Sequence, residues 1–205
     1  MILETVVDRY FGVNTYIIAD DETNKCAIID PGAIVSDIMK IIKNKNLQPE
    51  YIILTHGHGD HIANLNALKK EIDVKVIAHE DEQELLNDKK KNLSATMYCG
   101  PQEAEADIYV KDKDKLSLGN LKLSFIHTPG HTKGCMCIRV ENNLFTGDTL
   151  FAGSMGRTDF YSGDNNQMQK SLKKLTKYEN ELMVYPGHGP HSNLGIEKAT
   201  NPYMK

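Results

Sequence analysis

Tyr51-Ile52-Ile53-Leu54-Thr55-His56-Gly57-His58-Gly59-Asp60-His61 runs an apolar, partly β-branched stretch into three imidazoles and a carboxylate. The stretch 51–54 reads as a buried strand. The residues that follow, to about Lys70, put Ile62, Leu65 and Leu68 on one face at helical spacing. The polar cluster therefore stands where a strand hands over to a helix, a usual place for a site in an α/β protein. Gly57 and Gly59 are expected to let the backbone bend so that several side chains converge. Neutral imidazole with carboxylate is a donor set for zinc, iron or manganese. Asp60 and His61 are adjacent, and adjacent helical residues do not face each other, so two ions side by side satisfy them more readily than one. Without a cation the same gathering would desolvate polar groups for no gain.

The chain has 205 residues, enough for one well-filled domain, and a single domain over 1–205 is expected. A net charge of -4 supplies no field for nucleic acid or an anionic membrane, and neither is expected as a partner. No apolar run reaches bilayer length and the start has no basic stretch leading into an apolar one, so the expectation is a soluble cytoplasmic protein. The four cysteines, at 26, 99, 135 and 137, are then expected to be reduced. Cys135 and Cys137 fall on one face of a strand, as small core residues.

Strands are expected over 1–7, 14–19 and 25–30, a helix over 34–45, the strand 51–54, a strand over 74–78 and a short acidic helix over 80–86. From Asn87 to Lys115 the pattern weakens. That stretch is either surface or a binding loop, in which Met97 and Tyr98 would wall a pocket. Strands resume over 121–126, 135–140 and 144–145, then a helix over 166–176 and a strand over 182–185. Two stretches of strands, each followed by helices, suggest two sheets packed face to face with helices outside.

Three later residues stand like the first cluster, each after an apolar strand with glycine just before it. His131 follows Thr128-Pro129-Gly130, Asp148 follows Gly147, and His188 follows Pro186-Gly187. One sheet edge presenting all of them would account for the pattern.

With these residues in view, the sequence resembles the metallo-β-lactamase superfamily of hydrolases, and within it the glyoxalase II-like (hydroxyacylglutathione hydrolase) branch. The resemblance is carried by Asp30-Pro31-Gly32, Thr55 to His61, Thr128-Pro129-Gly130-His131-Thr132, Thr146-Gly147-Asp148 and Pro186-Gly187-His188-Gly189. It implies an α/β, four-layer αββα sandwich with the metals at one edge of the two sheets. It also implies one metal on His56, His58 and His131, a second on Asp60, His61 and His188, and Asp148 bridging them. Zinc is the expected ion, with iron and manganese open to the same donors. Asp30 would orient a ligand or stabilise the turn before Pro31; His79, His127 and His191 match no ligand position.

Two cations about 3.5–4 Å apart can hold a water and lower its pKa, giving a bridging hydroxide that attacks a carbonyl carbon. A thioester suits such a site because a thiolate leaves with little acid assistance, and Asp60 would accept the proton released on attack. The expected partner is thus a small-molecule thioester, S-lactoylglutathione or a related hydroxyacyl thioester, acted on by a monomer or homodimer. Arg157 stands where long glyoxalase II enzymes carry a glutathione-holding lysine, so it would grip a substrate carboxylate or else pair with Asp159. Only seventeen residues follow His188, which resembles a short form without the helical domain of those enzymes. Gly156-Arg157-Thr158-Asp159-Phe160 also resembles the persulfide dioxygenases of the superfamily, iron-dependent oxygenases, which stand as the alternative.

Overall fold

The computed structural model describes residues 1–205. In chain order the elements are β1 (Ile2–Val7), β2 (Asn14–Ala19), β3 (Lys25–Ile29), α1 (Val35–Asn44), β4 (Gln48–Ile53), α2 (Leu65–Glu71), β5 (Lys75–His79) and α3 (Gln83–Leu86). There follow β6 (Ile108–Val110), β7 (Lys115–Leu118), β8 (Leu121–His127), β9 (Met136–Val140), β10 (Asn143–Gly147), β11 (Leu150–Phe151) and β12 (Ser154–Met155). The chain ends with α4 (Asn165–Leu175), β13 (Met183–Pro186), β14 (Ser192–Asn193) and α5 (Leu194–Thr200).

Two six-stranded sheets result, in the orders β1-β2-β3-β4-β5-β6 and β14-β13-β10-β9-β8-β7. The first is antiparallel across β1, β2 and β3, then parallel from β3 to β6. In the second, only β10 and β13 run parallel. Strands covered on both faces must be apolar at odd and even positions alike. β2 shows this: all six of its residues are buried, and Tyr16, Ile17, Ile18 and Ala19 form its apolar run.

The period of two sorts those residues into separate layers. Ile17, Ile28 and Ile52 face α1 and α2, packing with Ile38, Ile42, Leu65 and Leu68. Ile18, Ile29 and Ile53 face the second sheet, meeting Leu123, Phe125, Ile138 and Phe145. On the far side, Cys137, Leu144 and Val184 pack with Met168, Leu172 and Leu175 of α4 and Leu194 of α5. Three apolar layers separated by two sheets and flanked by helices make the αββα sandwich.

Several elements differ from the sequence reading. The helix after His61 begins only at Leu65, and residues 60–63 form turns, although Ile62, Leu65 and Leu68 are all fully buried as the spacing implied. The stretch 87–115 contains β6 in full and the first residue of β7, which form edge strands of the two sheets. Both are short, and β6 pairs with β5 across a long connection while β7 pairs with the adjacent β8, so each gave periodicity too few positions to reveal it. α5 and β14 were likewise unread, being seven and two residues long.

Four loops leave the C-terminal ends of β4, β8, β10 and β13 at the same edge of the sandwich. Backbone bonds pin the two sheets together there: Asn14 N–H donates to Gly187 O at 2.7 Å and Met136 N–H to Thr55 O at 2.9 Å. The Tyr16 hydroxyl adds a bond to Pro186 O at 2.7 Å.

Candidate metal centre

The loop after β4 delivers His56, His58, Asp60 and His61; the loops after β8, β10 and β13 deliver His131, Asp148 and His188. All seven converge. The donor atoms of His56, His58 and His131 lie within 4.8 Å of one another, and so do those of Asp60, His61 and His188. Asp148 stands between the two groups, with Oδ1 at 3.3 Å from His61 Nε2 and Oδ2 at 3.5 Å from His131 Nε2. His188 Nε2 is 3.3 Å from both His61 Nε2 and Asp60 Oδ2. Two donors held about 2.1 Å from one tetrahedral ion are about 3.4 Å apart, so these spacings suit a shared cation.

The donors are also dressed for the task. A metal-binding imidazole uses its second nitrogen on an outer partner, which fixes ring orientation and tautomer. His61 Nδ1 donates to Asp30 Oδ2 at 2.8 Å, and His131 Nδ1 donates to the Arg157 carbonyl at 2.7 Å. His56 Nδ1 lies 3.2 Å from Thr55 Oγ1, and that hydroxyl donates to Asp30 Oδ2 at 2.6 Å. Each arrangement leaves Nε2 aimed inward. Within the cluster, His56 Nε2 and Asp148 Oδ1 are buried without a hydrogen-bond partner, as is His58 Nε2, whose Nδ1 is the nitrogen turned toward His131. Buried polar atoms are rarely left so, and two cations would satisfy the first two.

Charge is divided unevenly. Burial, with the neighbouring imidazoles, pushes His56 well below the ordinary histidine range and His58 down to about 3. His131 is lowered as well, mainly by burial. At His61 burial works the same way but is outweighed by Asp148, Asp60 and Asp30, which hold it well above the ordinary value. Despite their own burial, Asp60 and Asp148 are held low by the surrounding imidazoles, His61 first. One half of the centre thus offers neutral imidazoles, and the other ionised carboxylates.

Two features of the sequence reading need correction. Gly57 and Gly59 are not at positive φ; a Cβ on Gly57 would meet Leu86 Cδ2 at 2.9 Å, and one on Gly59 would meet Met97 Sδ and Ser94 at 2.8 Å. Their role is close packing against the segment that covers the loop. Asp60 and His61 are in a turn rather than on a helix, and the turn brings both toward one point, with Asp60 Oδ2 3.9 Å from His61 Nε2.

A cleft of about 410 Å³ opens over the centre, lined by His58, Asp60, His131, Asp148 and His188 of the donors and by Leu93, Met97, Phe151, Met155 and Phe160. Met97 does wall it, whereas Tyr98 turns away to stack on Tyr10 at 4.1 Å. Phe151, Met155 and Phe160 went unread; their signal was their place just after Asp148, in a loop beginning at the site. Arg157 lines the cleft and is bonded through Nε and Nη2 to Asp159 at 2.7 Å each, its guanidinium 3.8 Å above the Phe160 ring. His79 and His127 stay apart from the centre, stacked on each other at 3.9 Å with rings 14° from parallel. Asp81 is beside them, but parallel rings aim their lone pairs side by side, so no ion can lie in both ring planes. His191 packs near Tyr185.

Comparisons with known proteins agree with this fold. The model of the family described as the metallo-beta-lactamase superfamily matches residues 8–188. The chain is 32% identical to the hydroxyacylglutathione hydrolase GloC of Haemophilus influenzae, over 100% of this chain and 98% of that one. The crystal structure of BLEG-1, a B3 metallo-beta-lactamase, is similar with a TM-score of 0.91 at 31% identity, covering 100% of both chains. That of TTHA1623 in a di-iron-bound form gives 0.86 at 29% identity, covering 98% of this chain and 99% of that one.

Proposed function

The chain belongs to the metallo-β-lactamase superfamily of metal-dependent hydrolases, and from that premise we propose that it hydrolyses a thioester, S-lactoylglutathione or a related hydroxyacyl thioester. The observation carrying this is the seven-donor centre at the floor of a cleft whose wall offers no free acid. Besides the donors, the only polar side chains lining it are Ser154 and Arg157, and Arg157 is engaged with Asp159. A thiolate departs with little acid assistance, so such a reaction asks nothing of the cleft wall beyond the donors themselves. The relative named for hydroxyacylglutathione hydrolysis supports the same reading.

In this reading His56, His58 and His131 would hold one divalent ion, Asp60, His61 and His188 a second, and Asp148 both; zinc is the proposed metal. When bound, the ions would acidify a water and polarise the thioester carbonyl. The chain's own residues do the rest. Asp30, Thr55 and the Arg157 carbonyl keep three imidazoles in the tautomer that presents Nε2. The Asp60 carboxylate, at the cleft floor, takes the proton released when water adds to the carbonyl carbon. Leu93, Met97, Phe151, Met155 and Phe160 exclude bulk water and pack against the apolar and sulfur-bearing parts of the substrate. Arg157 offers its guanidinium to a substrate carboxylate only by exchanging it for that of Asp159.

The test is the rate of S-D-lactoylglutathione hydrolysis by zinc-loaded protein, with Asp148→Ala as the blank. Turnover well above that blank, with metal content reduced in the variant, is expected. Full activity in Asp148→Ala would end the two-ion reading. No turnover by a protein carrying two ions would move the reaction to another thioester or to persulfide oxidation, assayed next with the iron-loaded form.

A further inference from the structure

Glu82 closes the one-turn 3₁₀ segment between β5 and α3 and is 1% exposed. Burying a carboxylate is costly unless it is compensated, and no lysine, arginine or histidine pairs with this one. Its partners are donors from two distant loops. Oε1 accepts the Gly57 N–H at 2.8 Å; Oε2 accepts the Thr132 hydroxyl at 3.0 Å and the Gly134 N–H at 2.8 Å. Gly57 lies between His56 and His58, and Thr132 follows His131. One side chain therefore ties the loop after β4, in the first sheet, to the loop after β8, in the second, at the three imidazoles of one cluster. The chain leaves it room: a Cβ on Gly134 would stand 2.3 Å from Oε2.

We infer that Glu82 is a positioning residue for the His56–His58–His131 site, setting the spacing of the two loops that carry its imidazoles. The inference rests on the metal reading of the donor set and not on the thioester reaction. Three convergent donors call for an acceptor-only group, which a carboxylate is and an amide is not. Glu82→Gln puts an NH₂ against either Gly57 N–H or the Thr132–Gly134 pair.

Zinc affinity, measured by competition with a chromophoric chelator, is the decisive readout, alongside zinc per chain and the melting temperature of the metal-stripped protein. Glu82→Gln is expected to weaken binding at one of the two sites tenfold or more, the scale seen when an outer partner of a ligand is lost. Glu80→Gln, at the other end of the same turn and exposed, is expected to bind as the wild type does. Thr132→Val removes one bond to Oε2 and keeps the carboxylate; a smaller loss of affinity is expected, and this variant decides the matter if Glu82→Gln does not fold. Unchanged affinity in the folded variants, with only a lower melting temperature when stripped, would overturn the inference. A wild-type chain that binds fewer than two zinc ions would instead tell against the centre itself.

Discussion

Asp30 illustrates how much one side chain can organise. It accepts the Thr55 N–H at 2.7 Å and the Thr55 hydroxyl at 2.6 Å, and it takes the His61 Nδ1 proton at 2.8 Å. It does this from a backbone with φ of +50°, a conformation non-glycine residues seldom adopt. Asp30→Asn replaces one of its accepting oxygens by a donor. Metal affinity at the Asp60–His61–His188 cluster is expected to fall 10- to 100-fold, measured by chelator competition, because His61 loses the partner that orients it. Sequence alone offered Asp30 either this role or a turn-stabilising one, since the partner is thirty-one positions away.

At the scale of elements, the strand ends set what the loops can do. Gly187 terminates β13 beside the centre, where a Cβ would lie 2.3 Å from Asp148 Oδ1 and 2.6 Å from His61 Cε1. Gly187→Ala is therefore expected to fold but to retain less than half the wild-type metal, read by elemental analysis after gel filtration. A second junction joins the ends of β5 and β8, where His79 stacks on His127. Burial, and next the charge of His127, bring His79 down to about 4, against the opposing pull of Asp81, Glu80 and Asp112. The unfolded chain binds this proton near pH 6.5 and the folded one only near 4, so stability is lost as pH falls through that window. His79→Asn is expected to flatten the fall of melting temperature between pH 6.5 and 4 without changing metal content. A variant whose melting curve keeps the wild-type slope would contradict that assignment.

For the whole molecule, the seven donors come from both sheets: four follow β4 in the first, and His131, Asp148 and His188 follow strands of the second. Bound ions would then cross-link the sandwich at one edge, beyond the backbone bonds that already join it there. Stripping metal with a chelator is expected to lower the melting temperature, and restoring zinc at 100 times its dissociation constant to return about 2.7 kcal/mol. Calorimetry with and without chelator checks this, and identical melting would show that the ions do not bridge the sheets.

The sequence by itself determined the sheet-and-helix pattern, because residues buried on both faces of a strand are apolar in an unbroken run, as in 16–19 and 52–54. It also marked the seven convergent residues, because few other reasons exist to place histidine and aspartate after a glycine at the end of an apolar strand. Short edge strands, the true start of the helix at Leu65, and the contacts of Glu82 were decided only by tertiary structure. The edge strands span too few residues to show a period, while the turn before Leu65 and Glu82 depend on partners tens of residues away, of which local periodicity carries no record. The same holds for Arg157: its chemistry was legible, but its pairing with Asp159 was decided by the turn that brings the two side chains together.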